Sequence, residues 1–172
     1  MQEMTAERQM RAGFDLDRAM QAHGTALLRL CTLWLGDRAL AEDAVQDTFL
    51  RAWRSGSYRG ESEERTWLTR IAVNVCKSYL AAPWHRRRAG EEALAFLRAD
   101  APDGADDTLL RAVLSLAPKY RAVVLLYYYE GYKTREIAAL LHLKQNTVVS
   151  RLNRAREQLK PMLKEWYYED GS

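Results

Sequence analysis

The chain has 172 residues, 48% of them apolar, and a formal net charge of +3. That is room for one domain or two small ones with folded cores, and a charge too modest to act except through where the cations are placed. No run of about 18 apolar residues predicts a membrane span, and residues 1–10 lack the apolar heart of a signal peptide, so a cytoplasmic protein is expected. Strand signals are almost absent, and an all-α fold of two small helical domains is predicted. The first helix covers residues 14–35, is amphipathic, and stops at Gly36. The second starts at Asp37 or Arg38 and ends near Arg54. Its inner stripe is Leu40, Ala44, Val45, Phe49, Ala52 and Trp53. Its outer face shows Asp43, Gln46, Asp47 and Leu50. Asp43 and Asp47 are like charges one turn apart, which costs an isolated helix a few tenths of a kcal/mol. The residues alone allow either a solvated face or a docking surface for a basic, partly apolar helix.

A polar loop follows over residues 55–63, then a third helix over about 65–80. Leu68, Ile71, Ala72, Val75 and Tyr79 line one side of it, and Trp67, Arg70, Asn74, Lys77 and Ser78 the other. An aromatic ring among cations and amides suits single-stranded DNA, where bases stack and phosphates need neutralising. The same ring folded under the preceding loop is an equal reading. Residues 83–105 open with Pro83 and the arginines 86–88 and close on acidic residues, Pro102 and Gly104. Helical periodicity fades there apart from a weak stretch over 91–97. This span reads as a flexible linker between domains at 12–82 and 106–166. Unaided, the arginines 86–88 read as a solvated charge run.

Residues 123–129 form the one β-like run. Pro118 suits a helix start and Gly131 a helix end, so the run reads as a buried helix. Residues 133–156 read as two helices joined by a tight turn. Ile137, Leu141 and Leu143 face inward, and Ala138 is small where the helices approach. In the second helix Val148, Leu152, Ala155 and Leu159 share one face. Asn146, Val149, Ser150, Asn153 and Arg154 share the opposite one. Hydrogen-bonding side chains on such a face suit base edges in a major groove, and Arg151, Arg156 and Lys160 can reach phosphates from its flanks.

Cys31 and Cys76 are the two cysteines. Both sit in helical apolar patterns and read as reduced, buried thiols. His23, His85 and His142 are scattered without zinc spacing. No nucleophile motif, phosphate-binding glycine loop or metal-binding carboxylate group is seen. No cofactor, no metal and no independent enzymatic activity are expected.

Three motifs together carry a resemblance. They are Ala41-Glu42-Asp43-Ala44-Val45-Gln46-Asp47-Thr48-Phe49-Leu50-Arg51-Ala52-Trp53-Arg54, then Arg65-Thr66-Trp67-Leu68-Thr69-Arg70-Ile71-Ala72-Val73-Asn74, then Leu116-Ala117-Pro118-Lys119-Tyr120-Arg121-Ala122-Val123 with Glu130-Gly131 and the two-helix unit after it. In this order the chain resembles bacterial RNA polymerase sigma factors of the sigma-70 family, extracytoplasmic-function (ECF) group. The resemblance covers nearly all of the chain outside the termini and linker. It implies a specificity subunit of core RNA polymerase with sigma domain two at 12–82 and sigma domain four at 106–166. Asp43, Gln46, Asp47 and Leu50 would dock on the coiled coil of the polymerase β′ subunit. Tyr58, Arg65, Trp67, Arg70, Asn74, Lys77 and Ser78 would open and hold the −10 element, with a base flipped into a pocket. Lys144, Asn146, Thr147, Val149, Ser150, Arg151, Asn153, Arg154 and Arg156 would meet the −35 element as duplex. The second domain would meet the β flap, and the linker would thread toward the polymerase cleft. An anti-sigma factor, often membrane-anchored, is the further partner implied.

The chain departs from the family pattern at four positions. His142 stands at a turn where Gly is usual. Lys133 and Lys144 stand where Ser often caps the two helices, each cap being worth about 1 kcal/mol, and a Lys there opposes the helix dipole. Val149 replaces a common cation and suits contact with a thymine methyl. The rival reading is a free-standing helix-turn-helix regulator with an N-terminal sensing or dimerisation domain. Its response-regulator version needs strands and a phosphoacceptor Asp on a sheet, and the strand signals are missing.

Overall fold

The computed structural model describes residues 14–55, 58, 60, 63–81, 91–99 and 107–163. The expectations for the arginines 86–88, and for the domain ends and linker positions beyond these ranges, lie outside the described residues. Among the described residues there are eight α-helices and no strand, the predicted all-α class. They are α1 (Leu16–Leu35), α2 (Arg38–Ser55), α3 (Glu64–Ala81), α4 (Glu91–Arg98), α5 (Thr108–Ser115), α6 (Pro118–Val124), α7 (Thr134–Leu141) and α8 (Gln145–Met162). They group into two compact units, the first within Met1–Cys31 and Arg38–Arg86, the second within Thr32–Asp37 and Arg87–Ser172.

The end of α1 follows local chemistry. Gly36 adopts φ 68° and closes α1, its N–H reaching the Thr32 carbonyl at 2.8 Å; a left-handed residue there favours Gly. In the first unit Leu27, Leu30, Ala44, Phe49, Ala52, Leu68, Ala72 and Val75 are buried. Ala41, Thr48, Thr69, Val73 and Cys76 are buried too, which widens the predicted stripes. The cause is that α3 packs along α2 and also meets α1, where the Cys76 and Cys31 thiols lie 3.6 Å apart. A helix held between two neighbours buries more than one stripe. The two threonines go inside because each hydroxyl donates to the carbonyl one turn back, Thr48 to Ala44 at 2.7 Å and Thr69 to Arg65 at 2.8 Å.

Glu64 fastens the start of α3 to α1. Its carboxylate receives Arg18 Nη2 at 2.6 Å and faces His23 Nε2 at 3.2 Å. A carboxylate in the first turn also complements the helix dipole. Arg18 is exposed, so this tie orients the chain more than it stabilises it.

In the second unit, the span read as a linker contains α4. Ala93, Leu94 and Leu97 are buried on it, and Arg98 pairs with Asp107 at 3.4 Å, as does Arg111 at 2.9 Å. Two turns of helix give no more than the weak periodicity read over 91–97. The β-like run is helical: α6 continues into a π turn over Leu125–Tyr129, marked by the Glu130 N–H donating to the Leu125 carbonyl at 3.0 Å. Val123, Val124, Leu125 and Leu126 are buried, so packing overrides their strand preference. The run is not buried to its end, because Tyr128 and Tyr129 are 58% and 44% exposed. Leu116, Val124 and Ala155 pack together with Tyr120 and Leu159 against them. Arg121 is also buried. Desolvation pulls its guanidinium down to about 10, which still leaves it charged at neutral pH, with Nη1 3.5 Å from the Leu114 carbonyl.

Candidate nucleic-acid interface

The turn between α7 and α8 is set by backbone bonds. The Leu143 N–H donates to the Ala138 carbonyl at 2.9 Å and the His142 N–H faces the Ala139 carbonyl at 3.4 Å. That pairing is a Schellman closure, and it needs a left-handed residue at position 142. His142 accepts the role at φ 54°, ψ 45°, where a Cβ is strained. The helix starts show what two lysines cost. Neither Lys133 nor Lys144 supplies a side-chain cap. Glu136 offsets part of this at α7, its carboxylate accepting the Lys133 N–H at 2.9 Å. Gln145 Nε2 donates to Thr134 Oγ1 at 3.0 Å, so the first residues of the two helices are tied together.

Along α8, Val148, Leu152 and Ala155 are buried. Lys144, Asn146, Val149, Ser150, Asn153, Arg154 and Arg156 are exposed, and Thr147 and Arg151 are half-buried. The residues expected to meet duplex DNA therefore fall outside the buried stripe. Arg156 is the most constrained of them. Its Nε donates to the Tyr128 hydroxyl at 2.7 Å and its Nη1 to Asn153 Oδ1 at 3.1 Å. Its Cζ lies 5.6 Å from the ring centres of both Tyr127 and Tyr128. The sequence reading missed Tyr128, because it sits in an apolar run that signals burial.

In the first unit, Asp43, Gln46 and Leu50 are exposed on α2 and Asp47 is half-buried. Tyr79 of α3 holds Asp47, its hydroxyl donating to Oδ2 at 3.2 Å. Burial first, then the Asp47 charge, pushes the Tyr79 hydroxyl up to about 12. On α3, Arg65, Arg70, Asn74 and Ser78 are exposed and Lys77 is half-buried. Trp67 packs against two other rings. It is half-buried, edge-on to Phe14 at 5.2 Å, with Tyr58 tilted against it at 5.1 Å. Tyr58 thus meets the helix through a tilted ring contact with Trp67. No group of His, Cys, Asp or Glu side chains that could hold a metal is found among the described residues.

A helical unit with an acidic-apolar face and a cationic face, joined in one chain to a helix-turn-helix whose second helix exposes polar and cationic side chains, fits a DNA-binding transcription protein. The comparisons with known proteins sharpen the class. Residues 19–89 match the family model for sigma-70 region 2, and residues 106–159 match that for sigma-70, region 4. The RNA polymerase sigma-H factor of Pseudomonas aeruginosa is 31% identical over 160 residues, covering 81% of this chain and 83% of that protein. The ECF RNA polymerase sigma factor SigL of Mycobacterium tuberculosis is 32% identical over 151 residues, covering 83% and 85%. In the solved complex of RpoE with the anti-sigma factor NepR from Bartonella quintana, the sigma factor superposes with TM-score 0.65 at 24% identity, over 87% of this chain and 97% of that one. The chain belongs to the ECF sigma factors of the sigma-70 family. It is a sigma factor that directs transcription initiation, and the free-standing regulator is not favoured.

Proposed function

We propose that this chain is a non-catalytic specificity subunit that works through two separate surfaces. Asp43, Gln46, Asp47 and Leu50 dock the first unit on the coiled coil of the β′ subunit, and the like-charged pair on α2 then faces a cationic partner. Tyr58, Arg65, Trp67, Arg70, Asn74, Lys77 and Ser78 open and hold the −10 element. Extruding a base costs a few kcal/mol of stacking. Stacking and hydrogen bonds within the protein return that energy, with the Trp67–Tyr58 pair as the nearest aromatic surface. The second unit engages the β flap and reads the −35 duplex with α8. Lys144, Arg151 and Arg156 meet phosphates, and Asn146, Thr147, Val149, Ser150, Asn153 and Arg154 meet bases.

The observation that carries this reading is the division of α8. Val148, Leu152 and Ala155 are buried, while Asn146, Val149, Ser150, Asn153 and Arg154 are all exposed. Since RpoE of Bartonella quintana was solved with the anti-sigma factor NepR, we infer an anti-sigma partner here as well. Its place, at the membrane or free, sets where the chain is held. The chain itself works in the cytoplasm, with polymerase and DNA. No helix among the described residues is long and apolar enough to cross a membrane. The test is gel filtration of the purified chain mixed with core RNA polymerase. Co-elution in equimolar amounts is expected. A chain that elutes alone, or binds promoter duplex tightly without polymerase, contradicts the reading.

A further inference from the structure

Tyr128, Arg156 and Asn153 are linked in one direction. The Tyr128 hydroxyl accepts from Arg156 Nε at 2.7 Å, and Arg156 Nη1 donates to Asn153 Oδ1 at 3.1 Å. The direction is forced by chemistry, since a guanidinium has donors and no acceptor. The amide atom of Asn153 that faces Arg156 must be its oxygen, and its NH₂ must point elsewhere. The π turn over Leu125–Tyr129 lets two successive rings serve one cation. Tyr127 and Tyr128 meet edge to face at 4.8 Å, and the guanidinium lies 5.6 Å from the centre of each. Asn153 and Arg156 are both exposed on α8, so the linkage lies at the surface and not in the core.

We propose that Tyr128 and Arg156 are positioning residues that hold Asn153 with its two N–H donors outward, making Asn153 a reader of guanine. This rests on the reading of α8 as the −35 recognition helix and goes beyond it by assigning one base. Guanine shows two acceptors, N7 and O6, in the major groove. Adenine shows an acceptor beside a donor, and an Asn recognises it with both ends of its amide. Here the carbonyl end is turned to Arg156 and the donor end is left for the base. The two bonds occupy two of the five guanidinium N–H groups. Those remaining, on Nη2 and one on Nη1, are available to a neighbouring phosphate.

The experiment uses the full chain in holoenzyme with core RNA polymerase. The template is a promoter that this holoenzyme selects from genomic fragments, with its −35 region randomised and the transcribed templates sequenced. Asn153→Ala is expected to abolish a guanine-over-adenine preference of about fivefold or more at one −35 position. Arg156→Ala frees the carbonyl and moves that same position toward adenine. Tyr128→Phe keeps the ring, loses only the hydroxyl, and moves it the same way by less. A purely structural role for Tyr128 or Arg156 would weaken binding at all positions without changing the base at one. If Asn153→Ala alters no position, α8 does not read bases through Asn153, and the inference falls with that part of the −35 reading. If Asn153→Ala abolishes the preference but Tyr128→Phe and Arg156→Ala leave it intact, Asn153 reads the base and the positioning role is overturned. An adenine preference in the wild type overturns it as well. Should Arg156→Ala fail to fold, Tyr128→Phe decides the matter alone.

Discussion

The Tyr79 hydroxyl on α3 donates to Oδ2 of Asp47 on α2 across 3.2 Å. One bond thereby joins the helix assigned to the −10 element to the face assigned to polymerase. It also leaves a signature at alkaline pH. An unfolded tyrosine titrates near about 10, while burial and the Asp47 charge hold Tyr79 protonated up to about 12. Between those values the folded chain binds more protons than the unfolded one, so stability falls as pH rises. Below about 10 the contribution is fully present. Tyr79→Phe is expected to make the alkaline loss of stability shallower across this window, as followed by urea titrations at stepped pH. An unchanged slope would show that Tyr79 does not titrate as described.

Reversing both carboxylates of α2, Asp43→Arg with Asp47→Arg, is expected to abolish co-elution with core polymerase while helical circular dichroism stays near wild type. Asp43 is exposed and its change is nearly neutral for folding. Asp47 loses the Tyr79 bond, so Tyr79→Phe is the control. If Tyr79→Phe alone prevents co-elution, the bond and not the charge is what polymerase requires. Unchanged co-elution of the double variant sinks the docking assignment.

Trp67→Ala and Asn74→Ala separate folding from promoter opening. Trp67 packs on Phe14 and Tyr58, so its removal is expected to cost about 3 kcal/mol of stability. Asn74 is exposed, and its removal is expected to change stability by less than about 0.5 kcal/mol. Both are expected to reduce permanganate reactivity of unpaired promoter thymines more than they reduce polymerase binding. Normal reactivity in Asn74→Ala, which folds normally on this account, contradicts its role in melting.

His142→Gly is expected to stabilise the chain by about 1 kcal/mol, because glycine adopts the left-handed conformation without Cβ strain. The gain is read from the midpoint of a denaturant titration. A loss of stability would mean that the imidazole makes up the strain through its own interactions.

Much of this was legible in the sequence because helix ends and stripes are local. Gly36, Pro118 and Gly131 placed boundaries to within a residue or two of those observed, and the alternation of Val148, Leu152 and Ala155 with Asn146, Ser150 and Arg154 separated the two faces of α8. The resemblance placed a turn at His142, and its φ of 54° shows that the turn is left-handed. Tertiary relationships were not legible. Nothing in the spacing of Cys31 and Cys76 says that their thiols meet, or that Thr69 and Val73 are covered from a second side. Tyr128 was hidden because exposure inside an apolar run depends on the register of the π turn. The helix α4 showed only as the weak stretch over 91–97, because eight residues hold too few turns for a period to stand out.

The central claim is that this chain confers promoter choice on core RNA polymerase. Its most direct measurement is in vitro transcription on a pool of genomic fragments, with core enzyme alone and with the chain added, mapping the RNA 5′ ends. The account predicts start sites that appear only with the chain and that share two upstream elements, near −10 and −35. Transcription that does not depend on the chain, or chain-dependent starts with no shared elements, would contradict it.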